Sequence, residues 1–207
     1  MAKYVRDNTR PFITLRWAQE ETEMDLQLVY GRPSDVSGRL PVETATYDLL
    51  DTLGIEYERV DHEALYTMEA CAEVDAILAP AVICKNLFLC NRQQTQFYLL
   101  MIPGEKKFKT KDLSHQLGVA RLSFASEDFM MEYLHIAPGS VSVMGLMNDT
   151  ENHVQLLIDR AVLESEILGC HPCVNTSSLR MRMSDMIQRF LPAVHHEYIE
   201  IDLPDPA

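Results

Sequence analysis

No apolar stretch in this chain approaches the roughly 18 residues that a bilayer-spanning helix requires. The opening residues, MAKYVRDNTR, lack the apolar core of a secretory signal peptide. Cysteine is sparse and odd in number, five in 207 residues, which excludes a disulfide scaffold and predicts a reducing, cytoplasmic setting. Positive charge is also short: 18 Lys and Arg against 31 Asp and Glu give a net charge of −13. That balance excludes broad, non-specific binding to nucleic acid, so a nucleic-acid partner must meet a local basic patch or be handed over by another protein. The sequence has no internal repeat, no Walker loop, no dinucleotide fingerprint and no G-x-S-x-G elbow. A catalytic triad assembled from distant residues stays open, but no serine or cysteine has a base close by in sequence.

What remains is ordinary for a soluble globular protein, 47% hydrophobic and 24% charged. The length suits one domain with an extension. Residues 1–40 read as an N-terminal extension: PFITLRW and DLQLVY as a hairpin, then GRPSDVSGRLP as a linker. Trp17 and Tyr30 are expected to dock that hairpin on the domain. Residues 41–207 read as the domain proper.

Its centre is AVICKNLFLCN, residues 81–91. Alternation puts Ile83, Lys85, Leu87 and Leu89 on one face and Val82, Cys84, Asn86, Phe88 and Cys90 on the other, the pattern of a strand covered on both sides. An ammonium there is costly unless it snorkels to water, pairs with an acid or meets an anionic ligand. This run and QFYLLMIP form a hairpin across NRQQT. Helices are predicted over 41–53 stopped by Gly54, over MEACAEVDAIL capped by Thr67, from Thr110 or Asp112 to Gly118, over SEDFMMEYLH capped by Ser126, and over DMIQRFLPAV capped by Ser184. IEYERVDH, RLSFA and HEYIEIDL read as strands, and PGSVSVMGL, HVQLLID and ESEILGCHP as strands or loops. The interspersed elements predict a mixed α/β sheet flanked by helices.

Three constellations can carry chemistry. Lys85–Asn86 is the first. PGSVSVMG, residues 138–145, is a glycine turn whose amides can face a ligand or simply enter a strand. GCHPCVNTSS, residues 169–178, presents His171 beside a proline, then Asn175 and hydroxyls in a loop before a helix. Cys170 and Cys173 form a C-x-x-C pair, but a zinc site needs two more ligands, from His195–His196 or from Cys84 and Cys90. Apolar packing is the better reading of these thiols. The only dense basic run is Lys106, Lys107, Lys109 and Lys111, either a solvated face or a set of phosphate contacts.

The ordered motifs KNLFL, YLL-x-x-PG, a lysine-bearing loop, LGVARLSFAS, PGSVSV-x-G-L-x-ND and HP-x-x-NT resemble the prolyl-tRNA editing family, which includes YbaK and the insertion domain of bacterial prolyl-tRNA synthetase. The resemblance spans about residues 41–203 and implies a compact mixed α/β domain on a bent sheet. It implies a free-standing deacylase acting on Ala-tRNA(Pro), with tRNA as substrate, prolyl-tRNA synthetase as partner, and neither metal nor cofactor. Lys85 matches the lysine that holds the phosphate of the terminal nucleotide. Asn86 follows it, His171 and Asn175 match the HP-x-x-N residues lining the site, and Gly139, Ser140 and Val143 fall in the G-x-x-x-P loop that confines the aminoacyl group. Valine in place of that loop's proline departs from the pattern and loosens the expected rigidity. A non-catalytic module binding aminoacyl-tRNA or an amino acid is the rival reading. A zinc or thiol protein using Cys170 and Cys173 is a third.

Overall fold

The computed structural model describes residues 26–64 and 68–204. They form a mixed sheet of nine strands: β1 Leu28–Tyr30, β2 Tyr57–Asp61, β3 Val82–Cys90, β4 Phe97–Pro103, β5 Ser123–Phe124, β6 Val154–Asp159, β7 Ile167–Cys170, β8 Ser177–Arg182 and β9 Tyr198–Ile201. The order is β1-β2-β8-β7-β3-β4-β6-β9, with β5 added to β3. The expected mixed α/β class is therefore the observed one.

β3 belongs to both halves of this sheet. Its start pairs in parallel with β7, Val82 opposite Leu168 and Ile83 opposite Gly169. From Cys84 to Cys90 it pairs antiparallel with β4, as the hairpin reading requires. The turn is fixed by Asn91, whose Oδ1 accepts from the backbone N–H of Thr95 at 2.9 Å and of Gln96 at 3.3 Å.

The two faces of the sheet are covered differently. The larger core packs α1 (Pro41–Thr52), α4 (Glu127–Leu134) and the helical stretch Met183–Ala193 over Phe88, Leu99, Met101, Leu156, Leu168 and Leu179. The opposite face carries two separate clusters. One, under α2 (Met68–Leu78), joins Val60, Val74, Leu78 and Ile83; the other, under α3 (Thr110–Leu117), joins Leu87, Leu89, Leu100, Ile102 and Leu113. Lys85 falls between Ile83 of the first and Leu87 of the second. The strand is fully buried from Phe88 to Cys90 and half-buried from Val82 to Leu87, where its lysine stands.

Local signals account for most boundaries. Pro41 opens α1 at a position where its missing N–H costs nothing, and Gly118, at φ +66°, ends α3 in the left-handed conformation. Other expectations need correction. Ser126 and Ser184 make no capping hydrogen bond: Ser126 stands at the N-cap of α4 without one, and Ser184 lies inside its helix, which starts at Met183. Val143–Asn148 is a 3₁₀ turn capped by the Ser142 hydroxyl. Ser177–Arg182 is a strand where a helix was expected to follow the loop. Thr67, Trp17 and PFITLRW lie outside the described residues, whereas the end of DLQLVY is β1, paired with β2. Tyr30 does not dock; it is 67% exposed.

Candidate functional site

The site begins with a gap in the sheet. In an antiparallel pair, alternate residues direct their N–H and C=O groups away from the partner strand. The Gly104 N–H bonds Ile83 O on the β4 side and the Ala125 N–H bonds Phe88 O on the other, so Cys84, Asn86 and Phe88 face outward. That outer edge is paired with β7 only at Val82 and Ile83 and with β5 only at Leu89 and Cys90. Between them, no described strand covers the peptide groups of Cys84 and Asn86. The Asn86 side chain partly closes this edge, its Nδ2 donating to Cys84 O at 3.4 Å. Its buried Oδ1 has no hydrogen-bond partner among the described residues, a state that folding alone does not favour.

Lys85 stands on the opposite face from Asn86, at the same gap. It is half-buried, and its side chain makes neither an ion pair nor a hydrogen bond with any described residue. Parallel register places Ile83 beside Gly169, so Lys85 and His171 leave this pairing at the same end and on the same face. A Cβ on Gly169 would meet Ile83 Cδ1, so the glycine leaves room for the Ile83 side chain where β7 and β3 pair.

His171 is held by its own loop. Its Nδ1 lies 2.9 Å from the Ser177 carbonyl, which only accepts, so the ring proton is on Nδ1 and Nε2 is left as an acceptor. Burial, reinforced by the neighbouring His62, lowers its pKa against the effect of that carbonyl, which favours the neutral ring. The Ser142 hydroxyl donates to the His171 carbonyl and accepts from the Met144 N–H, tying the glycine loop to the histidine loop. Gly139, at φ +85°, approaches Asn175 so closely that a Cβ there would lie 3.7 Å from its Nδ2. Ser140 and Val143 are buried, Val143 within the larger core.

Of the residues singled out in the sequence, Lys85 and Asn86 thus border the gap, and Gly139, His171 and Asn175 fall in the two loops that Ser142 joins. Lys106 stands apart: its Nζ is 2.9 Å from Asp159 Oδ2, both side chains nearly buried, so its charge is already matched. Lys107, Lys109 and Lys111 have no ion pair among the described residues. Cys84, Cys170 and Cys173 lie on the core side, where burial raises all three thiols, Cys84 and Cys173 to about 12. No group of three or more His, Cys, Asp or Glu among the described residues is placed to hold a metal ion. His196 instead pairs with Asp149, its Nε2 3.2 Å from Oδ2.

His62 escaped the sequence reading, and Ser178, read there as a loop hydroxyl, stands on a strand. His62 at the end of β2 and Ser178 on β8 are buried beside His171, with His62 Nε2 2.9 Å from Ser178 Oγ and the two rings 6.4 Å apart. The signal for Ser178 was present: SSLRMR alternates, placing Ser178 and Arg180 on the face opposite Leu179 and Met181.

Comparison with known proteins follows the same residues. Residues 62–188 match the aminoacyl-tRNA editing domain family. The chain is 33% identical over 137 residues to the prolyl-tRNA editing protein ProX of Acetoanaerobium sticklandii, covering 66% of this chain and 83% of that one. It is 30% identical over 154 residues to prolyl-tRNA synthetase associated domain-containing protein 1 of Mus musculus, covering 72% and 89%. A solved structure described as that of a trans-editing enzyme for prolyl tRNA synthetase superposes with a TM-score of 0.58 at 16% identity, over 81% of this chain and 99% of the other, and so shares the fold. This chain belongs to the prolyl-tRNA editing family.

Proposed function

We propose that this protein is a free-standing editing hydrolase that removes alanine from mischarged Ala-tRNA(Pro). The observation that carries the reading is Lys85: an ammonium without a counter-charge among the described residues, at a gap in the sheet, on the face it shares with a neutral histidine. An anion completes it, and the phosphate of the tRNA's terminal nucleotide is the anion this family membership supplies.

With that phosphate on Lys85, the aminoacyl ester extends into the gap beside Asn86. An ester of this kind is activated, so holding a water in place and stabilising the developing oxyanion suffices without a protein nucleophile. The outward N–H of Asn86 is a fixed donor for that oxyanion. The unprotonated Nε2 of His171 accepts a hydrogen bond from the attacking water or from the adjacent ribose hydroxyl. Attack forms a bond from the water oxygen to the carbonyl carbon, the bond to the ribose 3′ oxygen breaks, and a proton passes to that oxygen. Alanine and tRNA leave. Gly139 and Ser140, beside the Asn175 loop, limit the room for the amino-acid side chain, and Val143 supports that loop from the core. Lys107, Lys109 and Lys111 contact the tRNA backbone, and prolyl-tRNA synthetase, in the cytoplasm, supplies the mischarged substrate.

The test is a deacylation assay with Ala-, Ser-, Cys- and Pro-charged tRNA(Pro). Hydrolysis of the alanyl ester, with the prolyl ester spared, is the expected result. Binding of these tRNAs without turnover identifies a non-catalytic module instead.

A further inference from the structure

His62, Ser178 and His171 form a connected group that the proposed chemistry does not yet use. His62 Nδ1 lies 2.8 Å from the Glu63 carbonyl and must donate to it, so Nε2 is an acceptor. Among the described residues, the hydrogen available to that acceptor, at 2.9 Å, is the Ser178 hydroxyl proton. With its proton directed at His62, the Ser178 oxygen turns lone pairs towards His171 Nδ1, 3.4 Å away. The His171 N–H is thus shared between the Ser177 carbonyl at 2.9 Å and, over the longer distance, Ser178. Every hydrogen in this group has one consistent place. His62 and Ser178 are buried, so water does not substitute freely for either partner.

We infer that His62 is a positioning residue for His171: through Ser178 it reinforces the Ser177 carbonyl in keeping the His171 proton on Nδ1 and so leaves Nε2 unprotonated. This rests on the proposed deacylase reading for its kinetic consequence but not for its structural one. If His62 gains a proton it becomes a donor at both nitrogens, and the Ser178 hydroxyl must turn round, its hydrogen now aimed at His171 Nδ1. That arrangement sets the Ser178 hydrogen against the His171 Nδ1–H, weakens the hold of the Ser177 carbonyl on the tautomer and raises the share of rings protonated on Nε2. Asp61, adjacent in sequence, favours the proton on His62, while burial opposes it more strongly and lowers its pKa. His171 faces only His62 among titratable groups shown to act on it.

Three variants of the full chain decide the matter: His62→Ala, His62→Gln and Ser178→Ala. Nitrogen-15 NMR of the imidazoles reads the His171 tautomer, and kcat and KM are measured on Ala-tRNA(Pro). The wild type is expected to show His171 protonated on Nδ1. His62→Ala and Ser178→Ala raise the share of the Nε2-protonated tautomer and lower kcat roughly tenfold, less than the full loss of a general base, with KM changed less than about twofold. His62→Gln, whose amide oxygen accepts from Ser178, restores the tautomer and most of kcat. An unchanged tautomer and kcat in both His62→Ala and Ser178→Ala overturn the inference, as does a folded His62→Gln as impaired as His62→Ala. If the wild type lacks deacylase activity, the deacylase reading fails while the NMR result still decides this one.

Discussion

Lys106 and Asp159 form a nearly buried ion pair, Nζ lying 2.9 Å and 3.1 Å from the two carboxylate oxygens. Asp159 also accepts from the backbone N–H groups of Ala161 and Leu203. The pair therefore joins the loop after β4 to the end of β6 and to the chain beyond β9. Removing one partner of such a pair strands a buried charge, at a cost of about 3–5 kcal/mol. Lys106→Ala is expected to lose about that much in urea unfolding, while Lys107→Ala and Lys109→Ala leave stability within about 0.5 kcal/mol. Removing the exposed lysines should instead raise KM for tRNA and reduce its salt dependence. Equal stabilities for Lys106→Ala and Lys107→Ala would contradict this division of the basic run.

Asp149 and His196 are a second buried pair, and their effect depends on pH. Burial alone would raise Asp149, but hydrogen bonds from His196 and from the His153 and Val154 N–H groups outweigh it and hold its pKa low. Burial likewise opposes the charge on His196, yet its bonds to Asp149 and the Val194 carbonyl hold its pKa high. The Asp149 contribution is full above the ordinary carboxylate range near pH 4 and is lost as pH falls through its lower native value. The His196 contribution is full below about pH 6.5 and is lost as pH rises through its higher native value. The stability difference between wild type and His196→Ala should thus be widest between about pH 4 and 6.5, at about 3 kcal/mol, and narrow above. A difference that does not vary from pH 5 to 9 would show that the pair is uncharged.

Val143 stands where the resemblance to the family leads one to expect proline. It is the first residue of the 3₁₀ turn after the Ser142 cap, the position where proline removes no needed donor. Val143→Pro should therefore fold. If loop rigidity sets the size limit, the valine protein hydrolyses Ser-tRNA(Pro) as well as Ala-tRNA(Pro), and proline narrows the preference by no more than about 1–3 kcal/mol. The ratio of kcat/KM for the two substrates measures this. An unchanged ratio assigns the sieving to the pocket walls.

The cysteines should be dispensable for chemistry. Cys170 and Cys173 are buried on the core face, so replacing both with alanine should cost about 1 kcal/mol each through lost packing and leave kcat/KM nearly unchanged. One equivalent of zinc per purified chain would overturn this reading.

Much of the architecture was readable because hydrophobic period and punctuation agreed. The hairpin of β3 and β4, the glycine stop at Gly118 and the two-sided cover of residues 81–91 follow from residue pattern alone. Ser177–Arg182 was misread because a loop rich in hydroxyls suggests a helix start, and its alternation is short and carries two arginines. Arg180 is satisfied by Glu58 at 2.6 Å, a partner more than a hundred residues away. Lys85 was legible as an anomaly; that it lies between two clusters, opposite a break in strand pairing, required the fold. His62 was invisible for a similar reason, since its meaning depends on Ser178 and His171 arriving beside it from β8 and the loop after β7.

The most direct test of the account is single-turnover deacylation of Ala-tRNA(Pro) by wild type and Lys85→Ala, with thermal unfolding of both. The account predicts a loss of rate by orders of magnitude in a variant that is folded and at least as stable, because a charge without a described partner is removed from a half-buried strand. A folded Lys85→Ala protein that deacylates at the wild-type rate would contradict it.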